Sequence, residues 1–100
     1  MKSPSKSIKV HINGNIIMKK NATETFIAVI NYLEPRKVAQ LKELRADGLP
    51  LVVPKKDYRL QMKVLDDNYY VCTHMPTTYK KRMLERIAKA LDVEIKIEIK

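Results

Sequence analysis

The chain predicts an α+β fold, a two-layer sandwich in which a mainly antiparallel sheet of about five strands packs on three helices in the order ββαα(β)ββαβ. Three observations carry that expectation. Apolar and polar residues alternate at 8–12, 60–64 and 93–99, the period of a strand with one wet face. Asn13-Gly14 sits between two apolar stretches, where a tight hairpin turn needs positive φ. Between the strand patterns lie segments with helical apolar spacing and recognisable starts and stops.

Residues 1–7 are polar and read as a flexible N-terminal arm, which leaves 8–100 as a single α+β domain. Ile8, Val10 and Ile12 alternate with Lys9 and His11, and the return strand is expected from Asn15 to about Lys19. Asn21 is placed to cap a first helix, with Glu24 three residues on. Phe26, Ile27, Val29, Ile30 and Leu33 form its apolar face, and Pro35 should stop it at Glu34. Pro35 also suits the first position of a second helix, with Val38, Leu41 and Leu44 as its stripe and Gly48 as its stop. Pro50 and Pro54 bracket Leu51-Val52-Val53, so that piece is at most an edge strand.

A second hairpin follows. Leu60, Met62 and Val64 alternate, Asp66-Asp67-Asn68 turns, and Tyr69 to His74 returns. The period places one of Tyr69 and Tyr70 in the core. Pro76-Thr77-Thr78 opens a third helix over 79–91, buried through Leu84, Ile87, Ala88 and Leu91, with Met83 at the margin. Val93 to Ile99 is the cleanest alternation in the chain. It is expected to lie within the sheet or to close it against the first hairpin.

Twenty Lys and Arg oppose eleven Asp and Glu, for a net charge of +9. The excess is +5 in residues 1–50 and +4 in 51–100, so no basic tail accounts for it. Such a charge points to anionic partners: DNA, RNA, an acidic protein or a membrane surface. No apolar run approaches the roughly 20 residues of a membrane-spanning helix, and the opening residues lack the apolar stretch of a signal peptide. The single cysteine, Cys72, fits a reducing cytoplasm.

The residues for catalysis are sparse. Two histidines, His11 and His74, and one cysteine supply no metal-ligand spacing. Cys72 and His74 share a strand face, but a packed thiol is the plainer reading than a nucleophile pair. Two glycines cannot build a phosphate-binding loop. The chain reads as no enzyme, with no cofactor. The third helix is more telling, because Lys80, Lys81 and Arg82 crowd its first turn, at the positive end of the helix dipole. An anion bound there reverses that repulsion. Arg86 and Lys89 continue the stripe, and Lys55, Lys56 and Arg59 form a second basic group among tyrosines 58, 69, 70 and 79. Basic side chains interleaved with aromatics suit nucleic acid. The two helices around Pro35 lack the turn glycine of a helix-turn-helix.

The succession Asn-Ala-Thr-Glu-Thr-Phe (21–26), Pro-Leu-Val-Val (50–53), Tyr-Tyr-Val-Cys-Thr-His (69–74) and Lys-Lys-Arg-Met-Leu-Glu-Arg-Ile-Ala-Lys-Ala-Leu (80–91) resembles a small uncharacterised bacterial accessory domain found with restriction- and defence-type proteins. The resemblance spans residues 8–99. It implies a module beside nucleic-acid-acting machinery and brings no binding or catalytic residue with it. The expectation is therefore a non-catalytic accessory domain that binds nucleic acid or another polyanion through a basic surface centred on the third helix. The alternative is a protein-interaction or homodimerisation module with no nucleic-acid role, joined through an exposed edge of the strands at 8–12 or 93–99.

Overall fold

Asn13 and Gly14 take φ of 49° and 81°, as a type I′ turn requires, and fold the first hairpin. The structure, a computed structural model, describes residues 7–41, 44–46, 49–54, 62–73 and 75–99. Strand β1 (Ile8–Ile12) pairs antiparallel with β2 (Asn15–Ile17), Ile12 facing Asn15 across the turn. The return strand is shorter than expected. The Lys19 amide donates to Thr25 Oγ1 at 2.8 Å, which turns the chain away from the ladder and into the first helix.

Helix α1 (Ala22–Tyr32) is capped by Asn21, whose Oδ1 accepts from the Glu24 amide at 2.8 Å. It ends at Leu33, and Glu34 adopts φ 75° and ψ 109° ahead of Pro35. Pro35 bars the helical region to the residue before it, and then starts α2 (Pro35–Ala39). Helix α2 is much shorter than its apolar spacing suggested. Beyond Ala39 the amides of Leu41 and Leu44 bond three residues back, to Val38 and Leu41. These tight turns bring Leu44 into the core from outside the helix.

The remaining elements are β3 (Arg45–Ala46), β4 (Leu49–Pro50), β5 (Val52–Val53), β6 (Met62–Val64), a 3-10 turn (Asp66–Asn68), β7 (Tyr70–Cys72), α3 (Thr77–Ala90) and β8 (Ile95–Ile99). The fold is α+β, but the described residues do not form the single sheet of about five strands. Two antiparallel three-stranded sheets stand instead, β2-β1-β8 and β5-β7-β6, with β3 and β4 as a separate pair. The last strand takes the free side of β1, Val10 facing Ile97, and so closes against the first hairpin. The second hairpin recruits β5 instead, which is an edge strand as its prolines demand. Leu51 lies between the two smaller ladders. Its amide donates to the Leu44 carbonyl at 2.9 Å, and its carbonyl accepts from the Cys72 amide at 3.2 Å.

The core gathers one face of β1 (Ile8, Val10, Ile12), α1 (Phe26, Val29, Ile30) and α3 (Met83, Leu84, Ile87), each 1% exposed or less. Met83 is thus central, while Leu91 is half-buried. In β7 both Val71 and Cys72 are fully buried, so the middle strand of its sheet is covered on both faces. Tyr69 and Tyr70 are both half-buried, and neither is the core residue that alternation predicted.

The end of α3 is a Schellman turn. The Asp92 amide donates to Lys89 and the Val93 amide to Ala88, at 3.2 and 2.8 Å, with Asp92 at φ 58°. An L side chain in that region costs about 1 kcal/mol, and a carboxylate is unfavourable at a helix C-terminus. Asp92→Gly is expected to raise stability by about 1 kcal/mol, seen as a Tm increase of roughly 4–8 °C in thermal unfolding.

Candidate nucleic-acid interface

Pro76 begins α3 with an extended ψ of 159° and no side-chain cap. Its carbonyl accepts from the amides of Tyr79 and Lys80. Of the three cations that crowd the start of this helix, one leaves the surface. Lys80 is 5% exposed, and its Nζ donates to the Met75 carbonyl at 2.7 Å. Burial holds its amine below the ordinary 10.5, with the nearby Cys72 thiol partly opposing the shift. Lys81 is half-buried, its Nζ 4.0 Å from Glu85 Oε2 one turn on.

Arg82, Arg86 and Lys89 are exposed. At i, i+4 and i+7 they fall within an arc of about 60° and span roughly 10 Å of helix axis. No ion pair engages these three among the described residues. Tyr79 precedes Arg82 by three residues on the same side of the helix and is 37% exposed. The outer face of α3 is therefore a stripe of three cations with an aromatic ring at its N-terminal end. Lys55, Lys56 and Arg59 lie outside the described residues, as does His74.

Other clusters of reactive side chains are weaker. Cys72 is wholly buried. His11 lies on the outer face of its sheet, as its position in the alternation implied, with Nε2 2.9 Å from Glu98 Oε2. No group of three or more His, Cys, Asp or Glu among the described residues is placed to hold a metal ion. None of the described helices is long and apolar enough to cross a membrane. An open cleft of about 570 Å³ lies where α1 ends, between Tyr32, Glu34, Lys37 and Leu91. Glu34 and Lys37 pair with each other there at 3.1 Å. Sequence reading did not find this cleft, because it depends on where the helix ends converge.

Comparison with protein-family models, curated proteins and solved structures gave no significant match.

Two outcomes follow from the inner side of α3. Because burial lowers the folded-state pKa of Lys80, the unfolded chain binds more protons between that value and 10.5. Stability from this group therefore rises as pH climbs towards 10.5, and Lys80→Met should flatten that rise in urea titrations of both proteins. Cys72, fully buried, should react with a thiol reagent only after denaturant unfolds the chain, read as the modification rate with and without urea.

Proposed function

We propose that this domain is a non-catalytic accessory module that binds nucleic acid through the outer face of α3. One observation carries the reading: Arg82, Arg86 and Lys89 form an exposed stripe with no ion-pair partner among the described residues, and Tyr79 extends it. Cations at this spacing neutralise successive phosphates, and such contacts position a backbone without reading its sequence. The Tyr79 ring offers a face for an unpaired base. The net charge of +9 favours the encounter with any polyanion. The reading agrees with the resemblance to bacterial accessory domains beside nucleic-acid-acting machinery and with a cytoplasmic setting.

Lys80 belongs to the core side of α3 and has no place among the phosphate contacts. Three contacts on duplex DNA give a log–log salt slope of roughly −3. Fluorescence anisotropy with labelled DNA and RNA, at ~50 mM salt and protein up to ~10⁻⁴ M, measures it. The triple variant R82A/R86A/K89A should lose that slope together with most of the affinity. Binding that the triple variant leaves intact would place the interface elsewhere, and no binding by the wild type would remove the reading.

A further inference from the structure

We propose that β8 is a homodimer interface, in which two copies pair antiparallel about a two-fold axis through Ile97. This interface is independent of the nucleic-acid reading, and its geometry is set at the first turn. In a two-residue hairpin the flanking residues, here Ile12 and Asn15, form a hydrogen-bonded pair. Alternation then points the amides and carbonyls of Lys9 and His11 at β8, where they meet Glu98 and Lys96. The backbone groups of Ile95, Ile97 and Ile99 consequently face the opposite way. β8 is an edge of its sheet, so among the described residues no strand answers them.

The side chains choose the partner. The sequence Glu94-Ile-Lys-Ile-Glu-Ile-Lys100 inverts its charges about Ile97. A second copy running antiparallel and centred there sets Lys96 against Glu98 of the second copy, and Glu98 against its Lys96. Ile97 faces Ile97 and Ile95 faces Ile99, all on the inner side, with the outward backbone groups in hydrogen-bonding register. Centring on Lys96 or Glu98 sets like charges against each other. A slip of one residue sends the isoleucines to the outer, wet face. Registers centred on Ile95 or Ile99 also oppose unlike charges but match only one residue of β8 with its counterpart, whereas the register on Ile97 satisfies charge, burial and backbone over all five. Ile99, 36% exposed at the open edge, is the inner-face side chain with most to bury. The product is a six-stranded sheet with both α3 helices on one face.

The interface is small, so the dimer is weak. Light scattering and sedimentation on the full chain should show a mass rising from 11.6 kDa towards twice that value as concentration approaches ~1 mM. Lys96 is exposed, so Lys96→Glu leaves the fold intact while setting a second carboxylate against Glu98 of the other copy; it should weaken dimerisation about ten-fold or more. Lys96→Glu combined with Glu98→Lys in one chain restores the facing charges and should restore the dimer. Hydrogen exchange supplies a second measure, with the amides of Ile95, Ile97 and Ile99 gaining protection as concentration rises. A constant mass of 11.6 kDa throughout, or a dimer indifferent to Lys96→Glu, overturns the proposal.

Discussion

Ile8, Val10 and Ile12 point to one side of β1 and are closed to solvent, while Lys9 and His11 point to the other. That one-sidedness orders the domain. Strand β1 is the middle of its sheet, paired on one edge by β2 and on the other by β8, and α1 packs on its apolar side. A shift of one residue in either pairing would turn its whole apolar set outward. The positive φ of Asn13 and Gly14 fixes the register of the first pair, and β8 must then match it from the other edge. Helix α3, packed on β8 and α1, inherits its position from both.

The burial of Lys80 resolves a conflict that the third helix poses. Cations in a first helical turn meet the positive end of the macrodipole. Lys80 avoids that cost by folding towards the Met75 carbonyl just ahead of the helix, and Lys81 leans towards Glu85. What remains outside starts at Arg82, where the dipole has already weakened. The basic face therefore begins later along the helix than the sequence placed it, and a run of like charges is divided by which side of a helix each residue falls on.

The strands bounded by strong local signals were legible in the residues themselves. Asn13-Gly14, the cap at Asn21, the stop before Pro35 and the alternation of the last strand each name a backbone state that few alternatives satisfy. The sheet partition was not legible, because it depends on which edges meet. Periodicity describes a strand's faces and says nothing of its neighbours. Likewise Leu41 and Leu44 keep a helical spacing, yet Leu44 reaches the core through tight turns after α2 has ended. Strand β7 broke the alternation rule because both of its faces are covered. Of the candidate cations, Arg82, Arg86 and Lys89 share an exposed helical face that their spacing describes, but burial of a lysine by a carbonyl two residues before the helix has no sequence signature.

Leu51 has a consequence for how the molecule opens. Its amide serves one ladder and its carbonyl the next, so the strands on either side share a residue. Neither small ladder can fray far on its own. Loosening Leu51 strips the Cys72 amide of its acceptor and the Leu44 carbonyl of its donor in one event, inside a buried site where water cannot replace them. The β3–β4 and β5–β7 pairs are thus linked through one buried residue, so disturbing it loosens both.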